Sequence, residues 1–165
     1  MALLTRQLDD QEKSELSAAT EKALARLTLD ANADPETIVS AAGDLIGIEQ
    51  AARTQRKLFG LLKNKAGDPT ELIAMIGFLW GTQVKRVLGW DWVMAMRGDE
   101  PEYALTSSAR EYAVFPLTFV RRMLTAPYEP NTLVEVFDTV KRGRHAPAER
   151  GVYDDLTDGR FRKSA

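Results

Sequence analysis

Apolar side chains recur at helical spacing through three successive stretches of this chain and then switch abruptly to strict alternation. In the first stretch Leu16, Ala19, Ala23, Leu24 and Leu27 fall three or four positions apart, which predicts a helix from about Asp10 to Leu27. Asp9 with Glu12 three positions later has the form of a capping box and fixes its start. The second helix opens at Asp34 and Pro35, a capping residue followed by a proline whose missing N–H costs nothing in the first turn. Its positions Ile38, Ala42, Leu45, Ile48, Ala52, Phe59 and Leu62 are expected to face inward, with a break at Gly43 or Gly47. The third start, Asp68-Pro69-Thr70-Glu71, combines cap, proline and a third-position glutamate. Leu72, Ile73, Ile76, Leu79, Trp80, Val84, Val87 and Leu88 then form a stripe wide enough to predict a central helix, closed by Gly89 in a left-handed cap.

Beyond Gly89 the period drops to two. Trp90, Trp92, Met94 and Met96 alternate with Asp91, Val93, Ala95 and Arg97, as on a strand. Arg97 to Pro101 reads as a turn, Tyr103 to Thr106 as a second strand, Ser107 to Ala109 as another turn, and Glu111 to Phe115 as a third strand. A helix from Pro116 to about Leu124 follows, Pro127 and Pro130 break the chain, and Asn131 caps a last helix with Leu133, Val136, Phe137 and Val140 inward. Gly143 ends it. The pattern predicts an α+β fold, mainly helical, with a three-stranded antiparallel meander packed on a central helix. Residues 1–143 are expected to form a single domain. Residues 144–165 read as a polar tail, partly disordered, with only Val152, Tyr153, Leu156 and Phe161 to anchor it.

Composition removes several chemistries. With 165 residues, 44% of them hydrophobic and 28% charged, the chain has the make-up of a soluble globular domain, and its longest apolar runs fall far short of the roughly 20 residues a membrane span needs. No membrane association is expected, and a cytoplasmic location is. The absence of cysteine eliminates disulfides, thiolate nucleophiles and cysteine-ligated metals within this sequence. A single histidine, His145, cannot build a histidine-rich metal site, and Ser14, Ser107 and Ser108 lack the context of a catalytic serine. No acid pair sits in an apolar setting that would raise a carboxyl pKa. No catalytic residue, cofactor or metal is therefore expected. A formal charge of −2 provides no global field for nucleic acid.

Three local features remain. Gly43 with Gly47, and Gly77 with Gly81, place two bare positions on one helix face. Glycine costs a helix about 1 kcal/mol relative to alanine, so close packing against a second helix or an aromatic ring, such as Trp80 or Trp92, is the expected return. Trp90-Asp91-Trp92 sends two indoles to one face and a carboxylate to the other. Any buried indole N–H is expected to find an acceptor. Basic residues cluster at Arg53, Arg56 and Lys57, at Lys85 and Arg86, at Arg121 and Arg122, and at Lys141, Arg142 and Arg144. Solvated faces and helix C-termini account for these more simply than a nucleic-acid surface does.

Gly77, Gly81, the junction Gly89-Trp90-Asp91-Trp92, Tyr103-Ala104-Leu105 and Phe115-Pro116-Leu117 resemble a family of small uncharacterised bacterial proteins, a domain of unknown function. The likeness spans about Glu71 to Leu124. It implies a bacterial source and assigns no activity. The leading expectation is a noncatalytic protein-interaction module of the adaptor or toxin-blocking type, with Arg121 and Arg122 holding an acidic patch of a protein partner. The alternative is a small-ligand binder with a pocket between meander and helix, lined by Trp90, Trp92, Tyr103 and Tyr112. A two-fold homodimer is compatible with either.

Overall fold

A computed structural model describes residues 3–58, 69–108, 112–125, 132–143 and 154–157. In chain order the elements are β1 (Leu4–Gln7), α1 (Asp10–Leu27), α2 (Pro35–Leu58), α3 (Thr70–Leu88), β2 (Asp91–Arg97), β3 (Glu100–Thr106), β4 (Tyr112–Val114), α4 (Pro116–Thr125), α5 (Thr132–Arg142) and β5 (Asp154–Asp155). The fold is α+β and mainly helical. Strands β2, β3 and β4 form the antiparallel meander that the alternation predicts. Two strands extend it: β1 pairs antiparallel with β2, Leu4 opposite Met96 and Gln7 opposite Val93, and β5 pairs parallel with β4. The spatial order is β1-β2-β3-β4-β5.

Local signals set the helix starts. Asp9 accepts the Glu12 N–H at 2.8 Å while the Glu12 carboxylate accepts the Asp9 N–H at 2.8 Å, which completes the box at the head of α1. Asp34 Oδ2 accepts from the backbone of Glu36 and Thr37 at 3.0 and 3.1 Å. Helix α3 begins at Thr70, with Pro69 already in helical conformation at its boundary. Gly89 closes α3 at φ 68°, where an L side chain would be strained. Helix α2 is not broken at Gly43 or Gly47; it runs without interruption to Leu58. Asp68, Phe59, Leu62, Asn131, Pro127, Pro130 and His145 lie outside the described residues, as do Val152, Tyr153 and Phe161.

The helices pack on one face of the sheet. Helix α3 is buried nearly throughout from Leu72 to Val84 and touches α1, α2, α4 and α5. Its two glycines are points of close approach. A Cβ on Gly77 would lie 2.7 Å from Leu117 Cδ2 and 3.2 Å from the Leu117 backbone, so α4 crosses there. A Cβ on Gly81 would lie 2.4 Å from Cζ2 and 2.5 Å from Cη2 of Trp92, so the indole seats directly on the notch. The Gly43 and Gly47 pair carries no equivalent contact at Gly47, where a Cβ would meet nothing within 4 Å.

One departure from the sequence pattern has a packing cause. Ile48, expected inside, is 65% exposed. The buried face of α2 runs through Ile38, Val39, Ala42 and Ile46, and Ile48 lies about 200° around the helix from Ile46. The far face of the sheet is also apolar at its centre: Val93, Ala95, Ala104, Ala113 and Phe115 form a second buried cluster, so the meander has no purely polar side. From the tail, Leu156 joins the main core and its backbone N–H donates to the Ala113 carbonyl at 3.0 Å.

Candidate interaction site at the sheet edge

Of the residues singled out in the sequence, Trp90, Trp92, Tyr103 and Tyr112 lie in or beside the main core, and Arg121 and Arg122 lie on α4. Trp90 and Trp92 belong to the main core. Phe78 of α3 meets the Trp92 ring edge-on at 5.8 Å and the Tyr103 ring at 4.8 Å. Tyr103 and Tyr112 pack at the margin of the same core. The Tyr103 hydroxyl donates to Glu15 of α1 at 3.1 Å, and burial together with that carboxylate pushes the phenol well above its usual range. Notch and Trp92 ring are complementary to each other.

Indole satisfaction divides. Trp80 Nε1 donates to the Leu133 carbonyl at 3.2 Å, as expected for a buried indole. Trp92 Nε1 is buried without an acceptor among the described residues, contrary to expectation. Shape rather than hydrogen bonding fixes that ring, because Gly81 and Phe78 confine it.

Arg121 and Arg122 also separate. Arg122 donates to the Thr157 carbonyl at 3.1 Å and so ties α4 to the segment after β5, whereas Arg121 is exposed on the same helix. Other basic residues are similarly engaged within the fold. Lys85 lies 3.6 Å from Asp91, Arg86 donates to the Ala33 carbonyl at 3.1 Å, and Lys141 pairs with Glu36 of α2, which raises the lysine pKa.

A different region has the character of a surface that meets something. On the helix-packed face of β2, burial ends abruptly: Trp92 and Met94 are 8% and 7% exposed, while Met96 is 37% exposed and its cross-strand neighbour Leu4 72%. Pro101, opposite Met96 on β3, is exposed as well. These three apolar residues adjoin one another at the end of the sheet that the helices leave uncovered. Strand β1 is the outermost described strand, and alternate N–H and C=O groups of an antiparallel edge point away from its partner.

The other face of this edge holds a groove of about 300 Å³ lined by Thr5, Arg6, Gln7, Asp91, Val93, Thr106, Ser107 and Ser108. Strand alternation places Thr5, Gln7, Asp91, Val93 and Thr106 on that face together. Thr106 is only 6% exposed. Ser107 Oγ accepts the Tyr112 N–H at 3.1 Å and holds the rim. Arg6 is held in place by a two-pronged pair with Glu12, at 2.6 and 2.8 Å, which clasps β1 to the start of α1. That guanidinium and the Asp9 N–H hold the Glu12 carboxyl down to about 2. Hydroxyls, an amide, a guanidinium and a carboxylate line the groove, so it both donates and accepts hydrogen bonds. Among the described residues no cluster of histidine and carboxylate groups is arranged to hold a metal.

Sequence reasoning missed this region because it draws on three separated segments. The only local hint was Leu4 beside the alternation of Thr5, Arg6 and Gln7, too short to distinguish from a loop. Neither a protein-family profile, a characterised protein nor a solved structure matches the chain. No helix among the described residues is long and apolar enough to cross a membrane.

Proposed function

We propose that this protein is a noncatalytic protein-interaction module, an adaptor or a toxin-blocking protein of the bacterial cytoplasm, and that its partner meets the β1 end of the sheet. One observation carries this reading: Leu4 and Met96 stand opposite each other in register, both exposed, on a strand whose next inward residues are buried. An apolar pair at an outermost strand is the sort of feature that strand-adding partners use. The bacterial source rests on the resemblance of the segment from Glu71 to Leu124 to small uncharacterised bacterial proteins. The closed packing around Trp92 supports a scaffold over a small-ligand binder.

The test is affinity capture of the tagged protein from a bacterial lysate, comparing wild type with the Leu4→Asp, Met96→Lys double variant and with Arg121→Glu. The expected result is a stoichiometric protein that co-purifies with wild type and with Arg121→Glu but is lost from the double variant. Recovery of the bait alone would overturn the interaction reading. Loss only in Arg121→Glu would move the surface to α4.

A further inference from the structure

We infer that the edge of β4 is a receptor for a short extended segment of the form aspartate, aliphatic residue, threonine, and that the chain keeps this receptor closed with its own Asp155, Leu156 and Thr157. The surface lies at the end of the strand order opposite β1 and does not rest on the reading of that end. Here the structure shows the occupant. Strand β5 pairs with β4 through two residues only, Asp154 opposite Tyr112 and Asp155 opposite Ala113. The contact continues with the Leu156 N–H donating to the Ala113 carbonyl at 3.0 Å and the Phe115 N–H donating to the Thr157 hydroxyl at 3.2 Å. Main-chain bonds along a sheet edge, with separate seats for alternate side chains, are how a strand-adding peptide is held.

Each of the three residues is recognised through its own contacts. The Asp155 carboxylate lies 3.2 Å from the Arg97 guanidinium, and its other oxygen accepts the Thr157 N–H and hydroxyl at 2.8 and 2.6 Å. Leu156 is buried in the main core. Thr157 is buried too, and its carbonyl accepts from Arg122 at 3.1 Å. The groups that do the reading have anchors besides the segment. Arg97 lies over the Phe115 ring at 4.8 Å and 3.9 Å from Glu102. Ala113 pairs with Thr106 in the meander, and Arg122 stands on α4, whose Phe119, Val120 and Met123 are buried in the main core. The receptor is therefore preorganised, which limits the cost of binding. The segment itself is held by much less. Its ladder is two residues long, and residues 144–153 separate it in sequence from Gly143 at the end of α5. A short edge strand of this kind belongs to the units that open below global unfolding. Tethered to the domain, it acts as an intramolecular competitor at an effective concentration on the order of millimolar. A partner that carries the same three residues in succession thus meets an occupied receptor and binds only by displacing the chain's own segment.

The experiment adds a fluorescent peptide of residues 151–160 to the full-length protein and follows anisotropy, comparing wild type with Leu156→Asp, whose own segment no longer fits the core. The peptide is expected to bind the variant at least tenfold more tightly than wild type, because the tethered competitor has been disabled. A peptide carrying Asp155→Asn is expected to bind the variant about tenfold more weakly than the native peptide, the scale of one charge-assisted contact. Adding Arg97→Ala to the protein is expected to erase that difference between the two peptides, which assigns the reading of the carboxylate to Arg97. Absence of peptide binding to the variant, or equal binding to variant and wild type, would overturn the inference. An Asn peptide as tight as the native one would overturn the part played by the acid. Should Leu156→Asp fail to fold, amide exchange of the wild-type protein carries the test. The Leu156 amide is then expected to exchange at least tenfold faster than the Met94 amide, through a local opening. Exchange of both at one common rate would show that the segment leaves only when the whole fold does, and would equally overturn the inference. None of these outcomes bears on the β1 end, which lysate capture decides separately.

Discussion

The two ends of strand β2 face the same helices with the same alternation and meet different fates. Trp92, at one end, lies on the bare backbone of Gly81, with Phe78 against its edge. Met96, four residues along, has only Leu4 and Pro101 as neighbours across the sheet and stands partly in solvent. Alternation decides which face a side chain takes. Whether that face is covered depends on where the helices lie, and the core on this face of β2 ends at Met94. One end of the strand is therefore built to be closed, the other left available.

Substitutions can break or sharpen this contrast. Trp92→Ala should cost about 3–5 kcal/mol, because the notch on α3 cannot collapse to fill the space of an indole; chemical denaturation measures it. Gly81→Ala should still cost about 1–2 kcal/mol net, since forcing a methyl against the ring outweighs the roughly 1 kcal/mol alanine adds to a helix. Gly47→Ala is its control: with nothing within 4 Å of the new methyl, the same change should stabilise the protein by about 0.5–1 kcal/mol. A Gly47 variant that destabilised as much as Gly81→Ala would remove the notch from the explanation.

The clasp beneath β1 offers a pH test. The folded Glu12 carboxyl titrates at about 2, below its ordinary value of 4.5. A depressed carboxyl contributes stability that is fully present above the ordinary value and is lost as pH falls through the folded one. Denaturation midpoints should therefore drop between about pH 4.5 and 2, and Glu12→Gln should flatten that part of the profile. The smallest effect on stability belongs to the open end: Met96→Lys and Leu4→Asp should each shift unfolding by no more than about 0.5 kcal/mol while abolishing partner capture. A large loss of stability from either would mean that the edge serves the fold.

Much of the fold was legible because its signals are local. The capping box at Asp9, the cap at Asp34, the stop at Gly89 and the alternation after it each act within a few residues, and each stands where it was expected. The notch was legible as well, since two glycines in an apolar helix imply a close neighbour and Trp92 was one of the two rings expected there. What escaped depends on distant partners. Strand β1 has only four residues and gains its identity by pairing with β2, some ninety positions away. Strand β5 consists of Asp154 and Asp155, residues that disfavour strands, and is fixed by β4 and by the Arg97 guanidinium 3.2 Å from Asp155. Ile48 was misplaced because a long helix holds two apolar stripes and only packing selects one. The bond from Arg122 to the Thr157 carbonyl was likewise invisible, since only the fold brings α4 to that segment. The groove could not be read at all: Thr5, Asp91 and Thr106 meet only once the sheet has formed.

The most direct measurement is amide hydrogen exchange of the free protein, resolved to single residues across β1 and β2. Alternate amides among Leu4–Gln7 should exchange almost as fast as in an unfolded chain, while the Val93 and Met94 amides, held between two strands, should open only with global unfolding. Uniform protection throughout Leu4–Gln7 would contradict an available edge and with it the site proposed for a partner.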